Sequence, residues 1–299
     1  MARASSNGIE IEYETFGAVG AEPLLLIMGL GAQMILWPDD FCHALAGAGH
    51  RVIRFDNRDA GASTHLDDAR MPDIGMAMAA AFAGLPVDAP YTLSDMAADA
   101  AGLLTALDIE SAHVVGASMG GMIAQTMAIE HPGRVRTLTS IMSTTGDPTL
   151  PQATAEAMGV LLTAPPPDRE GAIAHATSVF RIIGSPGYPF DEEWVRATAT
   201  RSYDRGFDPL GTGRQLAAIL ASGNRTGKLR DVRIPSLVIH GKDDPLVRLE
   251  AGMATASAIA GARLVVLEGM GHDLPRQLWS RYVEEITALT GARAPSARA

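Results

Sequence analysis

The chain has one cysteine, Cys42, in 299 residues, so no internal disulfide can form. That scarcity fits a reducing compartment. The opening residues, MARASSNGIEIEYETFG, lack the apolar core of a secretory signal, and no later apolar run approaches the roughly 20 residues of a membrane span. A cytoplasmic protein without membrane association is the expectation. Positive charge is scarce as well: 24 Lys and Arg stand against 34 Asp and Glu, for a net charge of −10 and an isoelectric point near 5.2. With no basic stripe anywhere, nucleic acid is not an expected partner. No His/Cys cluster has metal-ligand spacing, and no metal is expected.

What is present reads as a globular enzyme. Apolar residues make up 47% and charged residues 19%, too apolar for disorder. The length allows one large α/β domain or two smaller ones. Ile9, Ile11 and Tyr13 alternate with glutamates, as in a half-exposed strand of an edge hairpin, whereas Leu24 to Met28 is an unbroken apolar run suited to an interior strand. Further strands are predicted at 51–55, 113–115, 135–142, 235–240 and 263–267. Thr92 to Asp95 caps a helix running to Leu107. Cys42, on a predicted helix beside Phe41, reads as a small core residue. For the methionine-rich stretch 71–85, ordinary core packing is the favoured reading and a place at a substrate mouth the alternative.

The chain is organised around residues 111–122, SAHVVGASMGGM. A β-branched run enters Gly116-Ala117-Ser118-Met119-Gly120, and a helical segment leaves it. In a strand-turn-helix of this kind the central serine occupies a strained apex with its hydroxyl exposed, and glycines stand where a Cβ would strike neighbouring backbone. The Met119 amide falls at a helix N-terminus, where an N–H lacks an intrahelical partner and can face an oxyanion. The turn Gly29-Leu30-Gly31, after the first interior strand, is placed to supply a second such amide from Leu30. It is not a dinucleotide loop, since the third glycine of that motif would fall at Met34. Residues 223–229 likewise lack the spacing and the Ser/Thr of a phosphate loop.

A serine hydroxyl is a poor nucleophile until a base removes its proton. Two later strand ends carry the needed groups: Asp243-Asp244 after 235–240, and His272 after 263–267. Parallel strands bring their C-terminal ends to one rim, so Ser118, Asp244 and His272 are expected to converge there. Asp244 is preferred to Asp243 because Gly241-x-x-Asp244-Pro245 matches the usual acid turn. His240 reads as a structural group beside that acid. The polar loop Asp56 to Ser63 reads as a buried hydrogen-bond network, with Arg58 and Asp59 structural rather than catalytic.

These motifs resemble the α/β-hydrolase superfamily over nearly the whole chain: the Met28-to-Gly31 turn, the Asp56-to-Gly61 loop, the Gly116-to-Gly120 elbow, Gly241 to Pro245, and Gly269 to His272. Within it, Trp37-Pro38-Asp39, Arg58 to Ser63 and Gly269 to Pro275 resemble bacterial carboxylesterases of the aclacinomycin methylesterase type. The resemblance implies a mostly parallel eight-stranded sheet with helices on both faces, an inserted helical cap, no cofactor and a small-molecule ester substrate. The expected organisation is a core of 1–142 and 226–299 interrupted by a cap at 143–225, where prolines and glycines punctuate short helices. Ser118, His272 and Asp244 would be catalytic, Leu30 and Met119 would form the oxyanion hole, and Met28 and Met270 would contact an apolar substrate. Perhydrolase, lactonase or thioesterase chemistry on the same triad, or ligand binding with little turnover, are the alternatives, and oligomeric state is not encoded legibly.

Overall fold

The computed structural model describes residues 1–291. The stretch beyond Gly291, expected to fray, lies outside them. Eight strands, β1 (Ala2–Ser6), β2 (Ile9–Phe16), β3 (Glu22–Ile27), β4 (His50–Phe55), β5 (Ala112–Ala117), β6 (Val135–Ile141), β7 (Ser236–Gly241) and β8 (Arg263–Leu267), form one sheet in the order β1-β2-β4-β3-β5-β6-β7-β8. Only the pairings of β1 with β2 and of β2 with β4 are antiparallel. The order reverses between β3 and β5, which opens a crevice beyond their C-terminal ends.

Eleven helices are described: α1 (Asp39–Gly47), α2 (Ile74–Phe82), α3 (Leu93–Ala106), α4 (Met119–Glu130), α5 (Ala155–Leu162), α6 (Arg169–Ile183), α7 (Glu192–Arg205), α8 (Pro209–Ser222), α9 (Thr226–Leu229), α10 (Leu249–Ala258) and α11 (Trp279–Thr290). The unbroken apolar run of β3 serves both faces of the sheet. Leu25 and Ile27 pack in the core under α3 and α4, whereas Leu24 and Leu26 pack in the core under α1 and α11. All four are fully buried, each contributing about 1.5–3 kcal/mol through removal from water. The α3 cap forms as its sequence demands, the Thr92 N–H donating to Asp95 at 2.8 Å. Cys42 is fully buried against this second core, and burial pushes its thiol up to about 12.

The methionine-rich stretch departs from the core-packing expectation. Met76, Phe82 and Leu85 are 72%, 60% and 61% exposed. Of α2 only Ala77 is buried; the helix packs on α8, and Phe82 lies beside a cavity that Leu85 also lines.

The loop after β4 is the buried polar network its composition predicts. Arg58 grips Asp99 with two bonds of 2.6 Å, and Asp59 accepts from Arg214 at 2.8 and 2.9 Å and from the Tyr91 hydroxyl at 2.7 Å. Arg205 reaches Asp56 at 2.7 Å. Arg205 and Arg214 come from α7 and α8, so these pairs fasten that helical stretch to the sheet. Asp59, His65 and Asp208 lie close enough to suggest a metal site, but the Arg214 guanidinium already pairs with both carboxylates.

His65 in this cluster places Nδ1 2.8 Å from Asp208 and Nε2 3.0 Å from the Gly61 carbonyl. Only the imidazolium donates to both. Burial pulls its pKa down, but the Asp208 bond, the Gly61 bond and the charges of Asp208 and Asp59 outweigh it and leave the pKa raised. His65 therefore stabilises the fold fully below its unfolded value of about 6.5, and that contribution is lost as pH rises through the higher folded value. The melting-temperature gap between wild type and His65→Asn is expected to narrow from about pH 6 to about pH 9. A gap constant across that range would refute a charged His65.

Candidate active site

Ser118 stands between β5 and α4 at φ 55° and ψ −121°, a conformation that costs about 1–3 kcal/mol for a residue with a side chain. Its surroundings hold it there. The Ser118 N–H donates to the Ile141 carbonyl at 2.9 Å, and its own carbonyl accepts from Gly121 N–H at 2.9 Å and from the Ser143 hydroxyl at 2.8 Å. A Cβ on Gly116 would collide with the Gly120 carbonyl, and one on Gly120 with the Ile27 carbonyl. Both glycines are steric requirements of the turn.

His272 and Asp244 arrive from the loops after β8 and β7. His272 Nε2 lies 2.9 Å from Ser118 Oγ, and Nδ1 lies 2.7 Å from Asp244 Oδ2. Asp244 is fully buried, and its other oxygen accepts from the Leu246 and Val247 amides at 2.9 and 2.8 Å. With the carboxylate so fixed, the imidazole carries its proton on Nδ1 and presents Nε2 as acceptor to the serine hydroxyl. Asp243 turns the other way and accepts from the Gly269 amide at 2.9 Å. His240 donates from Nε2 to the Val247 carbonyl at 2.7 Å, and burial lowers its pKa and keeps it neutral beneath the acid.

The Gly29–Gly31 turn lies directly against the serine. A Cβ on Gly29 would stand 3.6 Å from Ser118 Oγ. Among the described residues, neither the Leu30 nor the Met119 N–H has an acceptor in the protein. Two free amides therefore flank a hydroxyl that is itself bonded to a base.

Ser118 and His272 open onto a cavity of about 1660 Å³, whose wall includes Met28, Leu30, Met119, Met122 and Met142. Met28 thus lines the cavity; Met270, expected beside it, does not. The left-handed Gly269, φ 70°, turns Met270 down into the core, where it is fully buried and receives the Tyr282 hydroxyl on its sulfur at 3.0 Å. Residues 71–87 contribute Met71, Phe82 and Leu85 to the same cavity.

Several groups around the site go beyond the sequence reading. The Ser185 hydroxyl accepts from Gly271 N–H at 2.9 Å and donates to Asp273, whose carboxyl burial pushes upward. The His272 N–H donates to the Ile183 carbonyl at 2.6 Å, and Gly187 N–H to the Gly269 carbonyl at 2.9 Å. The only local signal was Gly184-Ser185-Pro186-Gly187, a turn whose partner is remote in sequence.

The chain is 30% identical to rhodomycin D methylesterase DnrP of Streptomyces peucetius, over 96% of this chain and 97% of that protein. It is 29% identical to a putative carbamate hydrolase, RutD, of Azorhizobium caulinodans, over 91% of each. Among solved structures, the enol-lactonase from Burkholderia xenovorans LB400 superposes with a TM-score of 0.74 at 24% identity, covering 97% of this chain and all of that one. The esterase from Exiguobacterium antarcticum gives 0.74 at 19% identity, with 97% and 99% covered. Residues 22–275 match the family described as alpha/beta hydrolase fold, and to that family this chain belongs.

Proposed function

We propose that this protein is a serine carboxylesterase acting on esters with bulky apolar portions. The observation that carries the reading is the unbroken contact from Asp244 through His272 to Ser118, beside a cavity whose wall includes Met28, Met119, Met122 and Met142. Ser118 attacks the ester carbonyl while His272 takes its proton, and Asp244 stabilises the imidazolium. The Leu30 and Met119 amides receive the oxyanion, each such donor being worth about 10²–10³ in kcat. His272 then protonates the departing alcohol, and water activated by the same imidazole releases the acid from the acyl-enzyme. Residues 143–225 form the cap over the strand ends.

The size of the cavity supports a large substrate. Pockets for drug-sized ligands occupy about 300–1,000 Å³, and this one is larger. The resemblance to a rhodomycin D methylesterase, with the size of the cavity, favours methyl esters of bulky acids as the first to assay.

Mass spectrometry of the intact protein and its peptides after fluorophosphonate treatment, with hydrolysis of p-nitrophenyl butyrate followed on the same sample, tests the chemistry. A single adduct on Ser118 with matching loss of turnover is expected; folded protein that takes no adduct and turns over no ester defeats the reading. A panel ranked by kcat/KM tests the substrate class. A charged or strongly hydrophilic ester at its head would overturn the apolar preference.

A further inference from the structure

Gln215, on α8, is fully buried and uses both ends of its amide. Oε1 accepts from Gly31 N–H at 2.8 Å, and Nε2 donates to the Arg58 carbonyl at 2.7 Å. The residue it holds on one side belongs to the turn beside the serine. In that turn Ala32 N–H donates to the Gly29 carbonyl at 3.2 Å, and Gly31 sits at φ 64°, the left-handed third residue of a four-residue turn. A trans peptide points its carbonyl and its N–H in opposite directions. Tying the Gly29 carbonyl inward therefore aims the Leu30 N–H outward.

The next peptide, between Leu30 and Gly31, can flip in an isolated turn, and its two orientations distinguish turn types. Here Gln215 accepts its N–H in one orientation. In the other, the Leu30 carbonyl would face the Gln215 oxygen, acceptor against acceptor. Thr212, three residues earlier on α8, packs against Gly31 so closely that a Cβ there would lie 2.7 Å from its hydroxyl oxygen. We propose that Gln215 is a positioning residue for the Leu30 amide, locking the peptide that follows it; this rests on the serine-esterase reading above. The cap thereby supplies, from 184 residues away in sequence, part of the geometry that receives the oxyanion.

The test compares wild type, Gln215→Met, Gln215→Glu and Gly31→Ala. Steady-state hydrolysis of p-nitrophenyl butyrate is read alongside inhibition by an aryl trifluoromethyl ketone, whose serine adduct carries an oxyanion. Gln215→Met is expected to lower kcat about 10- to 100-fold with KM within about twofold, the pattern of an interaction made in the transition state. Affinity for the ketone should weaken by the same factor as kcat/KM. Gln215→Glu keeps an acceptor for Gly31 and, when protonated, a donor for Arg58, so it should recover most of the loss. Unchanged kcat in Gln215→Met, or a fall in kcat with ketone affinity intact, overturns the proposal. Should Gln215→Met not fold, Gly31→Ala disturbs the same peptide from the loop side: a parallel loss in kcat/KM and ketone affinity supports the proposal, and full activity overturns it. Failure of the underlying reading shows separately, as wild type that neither labels at Ser118 nor hydrolyses ester.

Discussion

Asp244→Asn is expected to lower kcat about 10⁴-fold with the fold intact, because the substitution reverses the tautomer of His272. The Leu246 and Val247 amides both donate to Asp244 Oδ1, so an asparagine keeps its oxygen on them and turns its NH₂ toward His272 Nδ1. Nδ1 must then accept, the ring proton moves to Nε2, and Nε2 can no longer take the proton of Ser118. Asp243→Asn keeps an oxygen for the Gly269 amide and should cost little. Ser118→Ala, which removes the proposed nucleophile, is expected to lose about 10⁵–10⁶ in kcat. Steady-state assays with circular dichroism on all three variants check the set; an active Asp244→Asn beside a dead Asp243→Asn would reassign the acid.

Arg214→Met should destabilise the protein by about 3–5 kcal/mol, the usual consequence of removing one partner from a buried ion pair. Arg214 is 2% exposed and Asp59 is fully buried, so water cannot replace the lost guanidinium. The Tyr91 hydroxyl and the Leu66 amide still donate to Asp59, at 2.7 Å each, but neither brings charge. Asp208, which pairs with His65, loses its contact with Arg214 as well. Urea unfolding monitored by tryptophan fluorescence gives the change in midpoint. Arg169→Ala breaks an ion pair with Asp204 whose partners are 47% and 53% exposed and should leave the midpoint in place, as exposed pairs do. Equal shifts in the two variants would show that burial does not set the strength of the Arg214 pair.

Features encoded over a few residues were legible. The apolar run of β3, the Thr92 cap and the glycines around Ser118 each follow from local sterics or periodicity, and the structure realises them. The tight turn joining β1 to β2 was equally available, since Asn7-Gly8 adopts φ 49° and 80°, the positive values such hairpins require. Other features depend on where remote segments meet. Met270 follows the same motif as His272, yet one left-handed glycine sends it to the core instead of the cavity. The exposure of Met76 and Phe82 is decided by how α2 sits on α8, which no window of local hydrophobicity reports. Arg205, Arg214 and Gln215 look like ordinary polar positions of amphipathic helices. Their partners at Asp56, Asp59 and Gly31 are roughly 150 to 185 residues away, and nothing in their spacing announces the pairing.

The hydrogen bonds between residues 183–187 and the histidine loop bear on how such an enzyme can be rebuilt. A cassette exchange that cuts at 142/143 and 225/226 would have to bring a backbone carbonyl to the place where Ile183 accepts from His272 and a hydroxyl to the place of Ser185 between Gly271 and Asp273. Gly271 adds a steric condition, since a Cβ there would collide with the Gly184 carbonyl. Residues 183–187 and the loop at 268–273 are thus one structural unit split across the sequence. A chimera that swaps both together is expected to keep His272 in register with Ser118, whereas one that swaps residues 143–225 alone is expected to displace it.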